Sequence, residues 1–346
     1  MGDKNILYRP VDGTTSINSA ALDRLKDVFR RDKASVCAQF SEWFYTYHAD
    51  LYVHGVPFEV YVRKMELIRR ELDGVRMVLD VGAGFGVYAS LLRILGVPRV
   101  VAMDYHGQKA RDAARLVQHL GLDNVQILQG DALALPFRTG HFDGALTLAC
   151  LSHIREPEDA LRNLSVLLVP GGRVWVFEDN NSSYPGYDMT DVWEGAETGG
   201  YADAVPSEKQ RSESYIEMRR EMIRRHHPDL PADKLQICAV GTRGLYARKM
   251  YDAVEEYLKT GELKNPRRHL VCHPESGEYE EYPLNPKLVK RMLREAGFDP
   301  RLRSPHTGPF SGKFRLVKGA VAGLFRLCPP LLTWMSPTFS VLATKR

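Results

Sequence analysis

Long apolar runs are missing from this chain of 346 residues. No stretch of about 18 uncharged apolar residues occurs, which leaves no candidate for a spanning helix. Cysteine is scarce: five residues, at 37, 150, 238, 272 and 328, with no CxxC pair among them. An odd count at such wide spacing speaks against a disulfide framework and for reduced thiols in a cytosolic protein. The opening MGDKNILYRP has no apolar core of the kind a secretory signal needs, so a cytoplasmic location is expected. A charge excess is lacking too. The net charge is +4, and pairs such as Arg69-Arg70 and Arg219-Arg220 alternate with acids, so no nucleic-acid partner is expected. No metal set stands out. Asp179, Asn180 and Asn181 are adjacent with no third partner, and Pro274 argues against a helix that would align His269 with His273.

What the chain does have is centred on Val78 to Ala89, VLDVGAGFGVYA. Val78, Leu79 and Val81 suit a buried parallel strand. Gly82, Gly84 and Gly86 form a turn, and Val87, Tyr88, Leu91, Leu92 and Leu95 repeat at helical spacing. Strand, glycine turn and helix open a nucleotide-binding α/β unit. A dinucleotide fingerprint wants a glycine at its sixth position, where this chain has Val87, and that disfavours an NAD enzyme. Asp80, two residues before Gly82, would repel a pyrophosphate but can pair with an ammonium group.

Strand and helix patterns then alternate. Strands are expected at Arg99–Met103, Asn124–Leu128, Phe142–Leu148 and Arg173–Phe177, with helices between them. Asp80, Asp104, Asp131, His153, Glu178 and Asp179 all fall at carboxyl ends of strands, where doubly wound sheets bind ligands. Four regions follow from this reading. Residues 1–74 form an arm and helical cap, and residues 75–180 an α/β core. Residues 181–284 form a helical insertion that serves as a lid, an acceptor-binding subdomain or a dimerisation element. Residues 285–346 hold the closing helix and strands. The insertion begins with a loop-like stretch at residues 181–206 and contains helices over Ser207–His227 and Leu245–Leu258. The aromatic cluster around Phe40, Trp43, Phe44, Tyr45 and Tyr47 either lines a pocket or packs the cap onto the sheet. The apolar segment 314–335 covers the sheet, joins a homodimer interface or touches a membrane surface; the last is not favoured.

The Asp-x-Gly-x-Gly-x-Gly pattern of residues 80–86 resembles the first motif of the class I S-adenosylmethionine-dependent methyltransferases. The resemblance covers residues 75–180 and the closing elements. It implies a Rossmann-like α/β sheet whose last strand is antiparallel, with an N-terminal helical cap and a helical insertion after strand five. It implies S-adenosyl-L-methionine as cofactor and a small-molecule acceptor. Asp80, Gly82, Ala83, Gly84 and Gly86 would lie along the methionine part of the cofactor. Asp104 would hold the ribose hydroxyls, Tyr105 would lie on the adenine, and Asp131 and Ala132 would reach the adenine amino group. Cys150 and Leu151 would contribute main chain. No Asn-Pro-Pro-Tyr motif follows strand four; Ala149-Cys150-Leu151-Ser152 stands there instead.

Oxygen acceptors must lose a proton, and a histidine poised near neutral pH can take it. His153 is the first candidate and His306 the second. Glu178, Asp179, Tyr45 and Trp193 are the candidate acceptor-binding residues. O-methylation of a small molecule, of the glycosyl or lipid-linked class, is the expected activity. N- or C-methylation, or an inactive cofactor-binding partner protein, are the alternatives.

Overall fold

The structure, a computed structural model, describes residues 17–53, 58–199, 213–303, 323–324, 327–328 and 331–346. His306 and most of 314–335 lie outside the described residues.

Seven strands form one sheet: β1 (Met77–Val81), β2 (Arg99–Asp104), β3 (Val125–Gln129), β4 (Phe142–Leu148), β5 (Leu168–Glu178), β6 (Phe298–Arg303) and β7 (Phe339–Lys345). Their order is β3-β2-β1-β4-β5-β7-β6. The first five are parallel, and β7 runs antiparallel to both β5 and β6. The expected α/β sheet and its antiparallel last strand are both present. The chain reverses direction in strand order at β1, between β2 and β4, which opens a crevice beyond the strand ends.

Helices cover both faces. On one face lie α1 (Ser19–Val28), α2 (Lys33–Cys37), α3 (Glu42–Val53), α4 (Phe58–Glu71), α5 (Val87–Ile94) and α6 (Gly107–Leu120). Leu25, Met65, Ile68 and Leu91 are fully buried there. Each such side chain contributes about 1.5–3 kcal/mol. Asn18 caps α1, its Oδ1 accepting from Ala21 N–H at 3.0 Å. The other face holds α7 (Pro157–Leu167) and α12 (Pro286–Glu295), both with proline in the first turn, and between them in sequence lies the insertion. Asn285 caps α12 through Leu288 N–H, at 3.0 Å.

The insertion is more helical than its composition suggests. Within the stretch read as loop-like stands α8 (Thr190–Thr198), ahead of which Asp188 Oδ1 accepts from Thr190 N–H at 2.9 Å. Gly199, at φ +81°, ends it. Three further helices follow: α9 (Tyr215–His226), α10 (Ala232–Gly241) and α11 (Ala247–Thr260). Ser214 and Glu217 form a reciprocal capping box at the start of α9. Ile223, Leu235, Met250 and Val254 make a small core of their own between α9, α10 and α11. No helix among the described residues is long and apolar enough to cross a membrane.

Candidate functional site

The crevice at the β1 switch point is a cleft walled by the glycine loop, the ends of β2 and β4, and aromatic side chains from the cap. The loop is shaped by close approach. Gly82 sits at φ +71°, and a Cβ there would fall 2.6 Å from Cys150 Cβ and closer still to its Sγ. Only glycine lets the loop cross the end of β4 this tightly. Gly84, at φ +56°, has nothing within 4 Å of where its Cβ would be, so it leaves space on the cleft side. Gly86 packs on Ala113 of the small-residue face of α6.

Asp104 ties the loop to β2. Its Oδ2 accepts from Gly84 N–H at 2.8 Å and its Oδ1 from His106 N–H at 2.9 Å. Behind it, Asp80 is fully buried and its Oδ2 has no hydrogen-bond partner. Burial, with the nearby Asp104 carboxylate, raises Asp80 to about 7. Tyr105, Asp131, Ala132 and Cys150 also line the cleft. Asp131 accepts from Leu133 N–H at 2.9 Å and pairs with Arg155 at 2.6 Å, so this acid is already held by a cation that also lines the cleft.

Past β4 the chain makes a 3-10 turn, Leu151–His153. Glu178, at the end of β5, holds it: Oε1 accepts from Leu151 N–H at 3.0 Å and Oε2 from Ser152 Oγ–H at 2.9 Å. Leu151 is therefore buried with its N–H engaged inside the protein, away from any ligand. The returning limb of the insertion is stitched to the same turn. Tyr279 N–H donates to His153 O at 3.0 Å, and Tyr282 N–H to Ser152 O at 2.8 Å. His153 Nδ1 lies 2.9 Å from Tyr279 O, so it carries the proton and Nε2 is the ring nitrogen left for other chemistry. Burial alone would lower the His153 pKa. The Glu281 carboxylate, the Tyr279 carbonyl and Glu278 outweigh it and raise it. Burial, then Asp179, pushes Glu178 up in turn, while burial also raises Glu281.

The expected site residues therefore divide. The cleft gathers Gly82, Ala83, Gly84, Asp104, Tyr105, Asp131, Ala132, Cys150 and His153. Glu178 braces the turn rather than facing the cleft, and Asp179 is exposed beside it. Two expectations need correction. Tyr45 packs into the cap's core, because the helix α3 turns Tyr47 instead toward the cleft. Trp193 packs with Ala196, Tyr215 and Val271 inside the insertion, because the stretch expected to be a loop is helical. Sequence reasoning missed Tyr61, Tyr88, His106, Lys109, Arg155 and Glu278, all of which line the cleft. Arg155 was findable, two residues past His153. Glu278 was not: it reaches His106 Nε2 at 3.2 Å from 172 residues away. Burial would raise Glu278, but His106, His153 and Lys109 bring it down to about 2.

A family model for a methyltransferase domain matches residues 79–176. Over 114 residues the chain is 36% identical to the ubiquinone/menaquinone biosynthesis C-methyltransferase UbiE of Pseudomonas fluorescens, covering 31% of this chain and 44% of that one. Over 105 residues it is 35% identical to the protein-L-isoaspartate O-methyltransferase of Nitrobacter winogradskyi, covering 30% and 48%. The chain thus spans a little under half the length of these curated relatives. A solved SAM-dependent methyltransferase from Aquifex aeolicus aligns at TM-score 0.35 and 21% identity over 42% of this chain and 83% of that one. The sequence that matches the methyltransferase-domain model runs from β1 to β5, the same strands whose ends frame the cleft.

Proposed function

We propose that this protein transfers a methyl group from S-adenosylmethionine to a hydroxyl of a small-molecule acceptor. When bound, S-adenosylmethionine supplies a methyl already activated by its sulfonium. Two features of the site fit that donor. Asp80 Oδ2 is a buried acceptor without a partner, suited to the methionine ammonium, and Gly84 leaves open space where a side chain would crowd the ligand. Asp104 would hold the ribose hydroxyls, since a carboxylate has lone pairs to spare beyond its two backbone donors.

The observation that carries the oxygen reading is the pinned ring of His153. With Nδ1 donating to the Tyr279 carbonyl, Nε2 is set to take the acceptor's proton, and the residue lines the cleft. The aromatic wall of Tyr47, Tyr61 and Tyr88 would exclude water and align the acceptor. The insertion brings Ser276 and Glu278 to the rim, which suits an acceptor larger than a simple metabolite. Glycosyl and lipid-linked alcohols are the first classes to screen. Carbon methylation is the second reading, favoured by the UbiE relatives, whose name states that chemistry. Calorimetric titration with S-adenosylhomocysteine, followed by turnover over oxygen, nitrogen and carbon acceptors, tests both. Absence of saturable binding by folded protein overturns the donor assignment, and turnover confined to carbon acceptors overturns the oxygen one.

Two variants probe the donor end. Asp104→Ala is expected to weaken S-adenosylhomocysteine binding by about 1.5–3 kcal/mol, the worth of hydrogen bonds to a charged group, with the fold retained by circular dichroism. Unchanged affinity removes the ribose assignment. Asp80 must be ionised to pair with an ammonium, and its raised pKa means that it gains a proton as pH falls through about 7. Affinity is therefore expected to decline between pH 8 and 6 in the wild type and to be low and flat in Asp80→Asn. The same sign makes Asp80 oppose stability as pH rises from its ordinary 3.8 through about 7, because the folded state holds the proton more tightly.

A further inference from the structure

Away from the cleft, α9 ends in two adjacent histidines that face α11. His226 is the last helical residue, while His227 has left the helix at φ −130° and ψ 75°, so the two rings converge rather than fan apart. Their centroids are 4.8 Å apart. Tyr251 of α11 stacks on His226 at 4.5 Å and orients its ring. Glu255, one turn further along α11 and so on the same face, brings Oε1 to 3.4 Å from His227 Nε2. That nitrogen is buried and makes no hydrogen bond. One ligand atom from each of His226, His227 and Glu255 falls within 4.8 Å of the others. Among the described residues no other three histidine, cysteine or acidic ligand atoms converge this closely.

We propose that His226, His227 and Glu255 bind a divalent transition-metal ion of the zinc class, which staples the end of α9 to α11. Tetrahedral zinc with bonds of about 2.0–2.2 Å sets neighbouring ligands about 3.3–3.6 Å apart. The His227–Glu255 separation already matches that edge, and side-chain rotation closes the other two. Two imidazoles and one carboxylate are a borderline donor set that suits zinc over calcium or magnesium. The negative end of the α9 dipole adds to the attraction for a cation. His226 is exposed, so a water completes the fourth position. Beneath the site Ile223 and Val254 pack in the insertion's core, so the ion would lock the end of α9 onto α11 above an apolar seam.

The test is titration of tag-free, chelator-treated full chain with zinc chloride against a chromophoric zinc chelator, alongside thermal melts. Expected is one saturable site and a zinc-dependent rise in melting temperature. Glu255→Gln and His227→Ala should each weaken binding at least about tenfold and abolish the rise. Should His227→Ala fail to fold, His226→Phe takes its place, since the ring stack on Tyr251 is kept. No saturable zinc binding overturns the site. So does binding that these variants leave unchanged, which would assign the ion to cysteines or other surface groups.

Discussion

Gly82→Ala is expected to cost about 2–5 kcal/mol of stability and to abolish S-adenosylhomocysteine binding. The left-handed backbone contributes about 1–2 kcal/mol of that cost and overpacking against Cys150 about 1–3 kcal/mol. At φ +71° an L side chain is strained before it meets anything, and its Cβ then meets Cys150 Cβ at 2.6 Å. The loop cannot retreat, because Gly82 and Ala83 both donate to Met103 O, at 2.9 and 3.0 Å. Urea denaturation reads the loss as a lower midpoint. In a Cys150→Gly background the steric part should return and the backbone part should remain. A Gly82→Ala midpoint equal to the wild type would mean that the loop does not pass the end of β4 as described.

His153→Ala is expected to lower kcat by about 10²–10⁴, the usual share of a general base, while leaving S-adenosylhomocysteine affinity unchanged. The pH profile carries the sharper test. Because its carboxylate neighbours raise the His153 pKa, the wild-type rate should climb with pH through a value above the ordinary 6.5. The buried acids near it share that titration, so the observed midpoint belongs to the cluster. In His153→Ala the climb should vanish. Wild-type turnover across pH in the variant removes His153 as the base.

Elements with strong local signals were legible from the residues alone. Alternating strand and helix patterns placed β1 to β5, and Gly82 with Asp104 announced the cleft's floor before any contact was known. Proline at the start of α7 and α12 marked those helices as readily. What stayed hidden is held by long-range pairing. Nothing near residue 278 says that its carboxylate meets His106, and nothing near residue 178 says that Glu178 grips Leu151 and Ser152 instead of an acceptor. In residues 188–199 the polar and glycine-rich composition reads as loop, yet α8 forms there, with Asp188 bonding Thr190 N–H just ahead of it. Tyr45 and Tyr47 differ only in the helical phase of α3, which an all-aromatic run conceals from any periodicity.

The stitching of residues 279–282 to the turn at 151–153 bears on how such a protein changes its substrate. The segment that shapes the rim of the cleft is fastened by main-chain bonds to the segment that presents His153. Insertions in this position are therefore not free attachments that can be traded for one another. An exchange at residue 181 and residue 284 would carry away the carbonyl that sets the imidazole tautomer, together with Glu281 and Glu278, whose charges raise its pKa. On the proposed function, substrate choice and proton affinity are inherited as one unit here. A graft that keeps activity must therefore bring its own partner for the residue at 153 or leave the last turn of the insertion in place.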